Sequence, residues 1–159
     1  MEPKFRAFNP ATKDMLYSFE APTEPSQLGN FFYGISLAPE SVVMQSSGIL
    51  DKNGVEMYSG DIVTVWLEGW GKVKDKYTGV IIFKSGSCFI DNLIDVEYKE
   101  PKCTYLPHNS MLLSQYELYE VLGKDYVSNY GEVFTFSEHA AFVEVIGNTM
   151  QHPHLLTSK

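Results

Sequence analysis

Ile49-Leu50-Asp51-Lys52-Asn53-Gly54-Val55-Glu56-Met57-Tyr58-Ser59-Gly60-Asp61-Ile62-Val63-Thr64-Val65-Trp66-Leu67 holds two tight turns and three apolar runs. Asp51 to Gly54 predicts a hairpin turn, because Asn and Gly tolerate the positive φ that such loops demand. It separates Ile49-Leu50 from Val55 to Tyr58. Ser59 to Asp61 predicts a second turn, where the Asp61 carboxylate can accept backbone N–H bonds at the strand entry. Ile62 to Leu67 is β-branched and aromatic, which suits a pleated, buried strand and not a helix.

Working outward, the same punctuation continues. Gly69-Trp70-Gly71 breaks the chain, and Val80 to Phe83 is expected to pair with Cys88 to Ile90 across Lys84 to Ser87. Leu93 to Tyr98, Val133 to Phe136 and Ala141 to Ile146 read as further strands. The stretch from Ser110 to Gly123 fits two readings. Ser110 caps a helix with Leu112, Tyr116, Tyr119 and Leu122 on one stripe, or the segment is a strand. Before the central stretch, Lys4 to Phe8 alternates polar and apolar residues, as a half-buried strand does. Met15 to Phe19, Phe31 to Leu37 and Ser41 to Gln45 read as strands too. Pro10, Pro22, Pro25, Gly29, Gly34 and Pro39 argue against helices there. The expected fold is mainly β, a small barrel or sandwich with one or two short helices. One domain over 1–159 is expected, with possible sub-lobes at 1–47, 48–100 and 101–159.

Composition fits a packed core: 44% of the 159 residues are hydrophobic and 14% aromatic, whereas disordered chains are poor in both. The net charge of −8 is spread evenly along the chain and repels phosphate backbones, so nucleic acid is a disfavoured partner. Met1 to Arg6 lacks the apolar run of a signal sequence, and Val80 to Phe83 is too short to cross a bilayer. A cytoplasmic protein of a bacterial host cell, with no membrane partner, is expected. Cys88 and Cys103 are too few for a disulfide scaffold and are expected as reduced thiols.

No catalytic, cofactor-binding or metal-ligating set emerges. His152-Pro153-His154 chelates a metal only with a third ligand from elsewhere, and reads more simply as an exposed tail. Cys88 with His108 or His139 lacks any surrounding nucleophile motif, so Cys88 reads as a buried structural thiol. Asp61 has no implied partner acid in Asp51 or Glu56. Gly48, Gly54, Gly60 and Gly147 read as turn residues. Gly69-Trp70-Gly71 lacks the spacing and following helix of a phosphate loop. What remains is a possible interaction surface of Trp70, Tyr77, Lys72, Lys74 and Lys76. The lysines, interrupted by Asp75, form either a solvated strand face or a phosphate track. Trp66, Trp70, Tyr58 and Tyr77 either fill core or form an exposed stacking platform, with Trp70 the one expected outside.

Three stretches together resemble the YopX family of phage and prophage proteins. Lys4-Phe5-Arg6-Ala7-Phe8-Asn9, with Lys13 and Met15 behind it, is similar to the family's opening KFRAWD…K…M, with Phe8 and Asn9 where Trp and Asp are usual. Gln45 and Gly48 to Val63 match its central signature, with Ser47 for Thr and Ser59 for Glu. Glu144-Val145-Ile146-Gly147-Asn148 and Pro153 to Leu156 match its closing EVIGN…NPELL. Residues 104–142 have no clear counterpart. The resemblance implies a mainly β, barrel-like unit and a small accessory protein without an established enzymatic activity or cofactor. The function expected is a non-enzymatic module that binds a phage or host protein or assembles into a homo-oligomer. The alternative is a small nucleic-acid-binding barrel.

Overall fold

Gly54 and Gly60 hold φ of 79° and 84°, the left-handed conformation that their turns demand. Between them the chain folds as expected: β3 (Val42–Asp51) turns at Asp51–Gly54 into β4 (Glu56–Tyr58), and a second turn leads into β5 (Asp61–Glu68). The computed structural model describes residues 3–68, 74–97, 111–113, 118, 121–127, 133–136 and 139–156.

The fold is mainly β. One sheet runs β12-β5-β6-β7-β8, built from β6 (Lys74–Lys84), β7 (Ser87–Asp95), β8 (Met111–Leu112) and β12 (Val143–Asn148) around β5. The second runs β11-β3-β1-β2, with β4 also on β3; β1 is Phe5–Phe8, β2 Met15–Tyr17 and β11 His139–Ala140. A separate pair joins β9 (Val121–Val127) to β10 (Val133–Phe136). The expected hairpin is present, with Ile81 opposite Ile90 and Phe83 opposite Cys88. Leu93 does not open a new strand, however. It continues β7, and a register shift opposite Thr78–Val80 absorbs the extra residue. Strand, not helix, occupies both described ends of the ambiguous segment, at Met111–Leu112 and Val121 onward. Between these ends, Leu113 and Leu118 are fully buried in the main core, while residues 110, 114–117, 119 and 120, like Ser137-Glu138, lie outside the described residues.

The main core lies between the sheets. Val63, Val65, Ile81, Ile90, Leu93 and Val143 from one sheet meet Met57 and Ala140 from the other, all fully buried. Gly79 sits at the closest approach inside this layer. A Cβ there would lie 2.5 Å from Ile90 Cγ2 and 3.0 Å from the Asp91 carbonyl oxygen. Because a backbone atom cannot swing aside, Gly79→Ala is expected to lose about 2–3 kcal/mol, at the upper end of overpacking costs. Urea unfolding checks this: the midpoint should fall by roughly 1 M with an unchanged slope.

Three expectations for the remaining chain need correction. Phe31 to Leu37 is not a strand, for α1 (Gln27–Ser36) occupies it. Pro22, Pro25 and Pro39 flank this helix and do not interrupt it. Ser26 caps it, its Oγ accepting from Gly29 N at 3.2 Å; Leu28, Phe31, Phe32 and Ile35 follow at helical spacing. The helix's amide side chains fold back onto the loop before it. Gln27 donates to Phe19 O and Ala21 O, and Asn30 to Pro22 O and Glu24 O. Second, β1 is buried on both faces. Phe5 and Ala7 face α1, where the Phe5 and Phe32 rings meet edge-on at 5.3 Å; Arg6 and Phe8 face a smaller core of Met44 and Tyr58. Third, Gly147 is no turn residue. It lies in β12 at a bulge, where a Cβ would come within 2.9 Å of His152 Nδ1 and Leu155 Cδ1.

Candidate interaction surface

Trp66, half-buried on β5, pairs in register with Lys76 of β6. The Lys76 ammonium stands 5.6 Å from the indole centroid and that of Lys52 4.6 Å. Lys52 is also tied to Glu144 at 3.1 Å, so much of its charge is met within the chain. Tyr77, one residue on, points to the opposite face and packs on the main core. Burial, and after it Asp75 and Asp95, push its phenol above the ordinary range. Period-two alternation therefore separates Tyr77 from Lys76. Lys74 opens β6 opposite Glu68, while Trp70 and Lys72 lie outside the described residues. Tyr58 fills the smaller core and offers no platform.

The polar groups that could carry chemistry are engaged structurally. Asp61 is fully buried, with its Oδ2 accepting from Tyr58 N at 2.8 Å as its turn position implied, and its Oδ1 accepting from Arg6 Nη2. The Arg6 guanidinium also stacks 4.7 Å over the Tyr58 ring. Burial raises the Asp61 carboxyl above its ordinary 3.8, against the pull of Arg6 and the Tyr58 N–H. Asp51, also fully buried, accepts from Asn53 N and Val55 N through Oδ1 and from Val145 N through Oδ2. Glu56 accepts from Ser46 Oγ at 2.6 Å and pairs with Lys4 at 3.2 Å. His152 is half-buried rather than part of a free tail: its Nδ1 accepts from Asn148 N at 3.3 Å, and its own N–H bonds Asn148 O. His154 beside it is exposed. Among the described residues, no group of three or more His, Cys, Asp or Glu is placed to hold a metal ion.

Cys88 is half-buried and packs on the main core, and desolvation pushes its thiol up to about 11. Two units above the ordinary 9.0 mean about a hundredfold less thiolate at pH 8. Cys88 should therefore alkylate with iodoacetamide about a hundredfold more slowly than a free thiol at pH 8, and at the ordinary rate in denaturing urea. Peptide mapping follows Cys88 separately from Cys103, which, like His108, lies outside the described residues. Rapid labelling of the folded chain would show the thiol to be activated.

A shallow pocket of about 110 Å³ opens between Pro3, Lys4, Ser18, Phe19, Gln27 and Leu28. That is well under the roughly 300 Å³ at which small-molecule sites begin. Beside it lies a feature that the strand reading of this segment missed. Positions 25–39 contain no Asp, Glu, Lys, Arg or His; Tyr33 of α1 and Leu37 just past its end are 68% and 71% exposed, and Phe32, although it meets Phe5, is exposed as well. Exposed Phe19 borders the helix start, and exposed Leu16 and Val43 flank Ala7 in register on the sheet face that α1 covers. A surface helix ordinarily carries charged residues on its outer side; this one carries aromatic and aliphatic groups. The signal was legible as a fifteen-residue absence of charge.

The family model described as "YopX protein" matches residues 4–157. The crystal structure of protein EF1440 from Enterococcus faecalis has a similar fold, with a TM-score of 0.50 and 21% identity, 99% of each chain being covered. Likeness at that identity speaks to the fold alone. No curated protein matches the chain. With the family model spanning nearly its full length, this chain belongs to the YopX family.

Proposed function

We propose that this protein is a non-enzymatic interaction module that binds a polypeptide through the charge-free outer face of α1. The observation that carries the reading is the exposure of Tyr33 in α1 and Leu37 at its C-terminal end, within a segment without a charged side chain. Exposed apolar patches of this kind mark binding sites more often than idle surface, and aromatic side chains supply most of the energy where they are buried by a partner. A non-enzymatic role is supported by the engagement of Asp51, Asp61 and His152 in backbone bonds and by a protonated Cys88. The setting is the interior of a bacterial cell in phage or prophage biology, as the family resemblance implies. No described helix is long and apolar enough to cross a membrane. Nucleic acid is the weaker reading, given a net charge of −8 and a Lys52 already paired with Glu144.

The test uses the full chain as bait in bacterial lysate beside a Tyr33→Lys/Leu37→Lys variant. Both substituted side chains are largely outside the fold, so circular dichroism should be unchanged. Polypeptides retained by the wild type should be lost from the variant. Identical retention on both baits would place the binding surface elsewhere.

A further inference from the structure

We propose that the occupant of this face is a second copy of this chain, with α1 lying against α1 across a two-fold axis. The proposal rests on the functional reading above and names its partner.

Charge supplies the first argument. Each copy carries −8, so two copies repel wherever their charged surfaces meet. A two-fold interface sets one patch against itself, and any charged patch would then oppose like charges. The segment from 25 to 39 is free of charge and is self-complementary in that sense. The same absence disfavours a membrane surface, since helices that lie on membranes carry Lys or Arg on their polar side.

Gly34 supplies the second. It lies inside α1, where glycine costs about 1 kcal/mol relative to alanine. Its φ is not left-handed, and a Cβ built there would meet nothing within 4 Å. The fold of the single chain therefore gives no reason for glycine at this position. A second helix does: the missing side chain leaves a notch beside Tyr33 and Leu37 into which a copy's Tyr33 fits, as close helix contacts require.

Area supplies the third. Leu16, Phe19, Phe32, Tyr33, Leu37 and Val43 are two-fifths to seven-tenths exposed, which at about 200 Å² per large residue amounts to roughly 600 Å². With the neutral groups of Gly29, Gly34 and Ser36 between them, the patch approaches the about 800 Å² per partner of a standard interface. It sits at the upper end of what a monomer leaves bare.

Sedimentation equilibrium of the full chain tests the proposal. The wild type should be dimeric at about 200 μM and dissociate only on dilution. Gly34→Leu fills the notch and should give a monomer with unchanged circular dichroism, because leucine favours the helix, and with a melting temperature that no longer depends on protein concentration. Tyr33→Lys, which touches little of its own chain, should weaken the dimer by about thirtyfold or more, the loss expected for a central aromatic anchor. A monomeric wild type, or a dimer indifferent to both substitutions, overturns the proposal. A monomeric wild type whose bait retains polypeptides in an α1-dependent way leaves the module reading standing with a different occupant. A monomer with α1-independent retention removes both.

Discussion

Asp51→Ala is expected to remove about 3–6 kcal/mol of folding stability, since it strips the acceptor from three backbone N–H groups at once, each worth about 1–2 kcal/mol for bonds that are only part-buried. The carboxylate is fully buried, and its acceptor distances are 2.8 Å to Asn53 N, 2.9 Å to Val55 N and 2.9 Å to Val145 N. The first two bonds hold the β3–β4 turn. The third reaches 94 residues along the chain and fastens that turn to β12, beside a Lys52 N–H that donates to Val143 O at 2.8 Å. One side chain therefore closes a hairpin and caps the outer edge of the other sheet. An unpaired strand edge is a template for unwanted pairing, so the bond to Val145 also blunts that edge. Domains of this size are stable by about 5–15 kcal/mol, and the loss would take a large share of it. Asp51→Asn should cost about half as much, because it keeps the Oδ1 bonds and turns an N–H donor toward the Val145 N–H. Urea unfolding gives the totals, and hydrogen exchange at Val55 and Val145 separates the two roles. If Asp51→Ala stays within about 1 kcal/mol of the wild type, the residue is an ordinary turn former.

The contrast between what could and could not be read in the sequence follows from the range of each interaction. Gly54 and Gly60 betray their turns because positive φ is a local demand. The β3–β4 and β6–β7 hairpins follow from apolar runs on either side of such turns. Asp51 was legible as a turn former, but its bond to Val145 was not, since no local pattern marks a second carboxylate oxygen aimed at a distant strand. Arg6 looked like the wet side of a half-buried strand. Its burial depends on Asp61 and Tyr58 arriving from the other end of the central hairpin. The miss at α1 had a different cause. Leu28, Phe31, Phe32 and Ile35 keep helical spacing, and the prolines around them, which by themselves argue against a helix, serve as its boundaries. The candidate surface went unseen with the helix. Of the surface expected from the sequence, Tyr77 stands on the core side of β6 and Lys76 on the opposite side, over Trp66.

Removing either member of the buried Arg6–Asp61 pair should cost about 3–5 kcal/mol, yet removing both should cost less than either. The pair joins β1 to β5, with side-chain exposures of 8% and 1%, so each charge is withdrawn from water. Burial outweighs Arg6 and the Tyr58 N–H in setting the Asp61 carboxyl, which ends above its ordinary value; attraction thus fails to recover the full cost of desolvation. Asp61→Asn keeps an acceptor for Tyr58 N but leaves the Arg6 cation buried alone. Arg6→Met then removes that cation, with the guanidinium contacts to Tyr58 and Met44, while keeping an apolar stem in its place. The expected order of stability is wild type, Arg6→Met/Asp61→Asn, then Asp61→Asn, with the last two separated by about 1–3 kcal/mol. The pH dependence has a definite sign. Between 3.8 and the raised folded value of Asp61, the native state holds a proton that the unfolded chain has released, so this group's contribution falls as pH rises through that window. Asp61→Asn should remove that slope. A double variant less stable than Asp61→Asn would mean that Arg6 contributes chiefly through its contacts with Tyr58 and Met44. The buried charge would then be incidental to how β1 is held against β5.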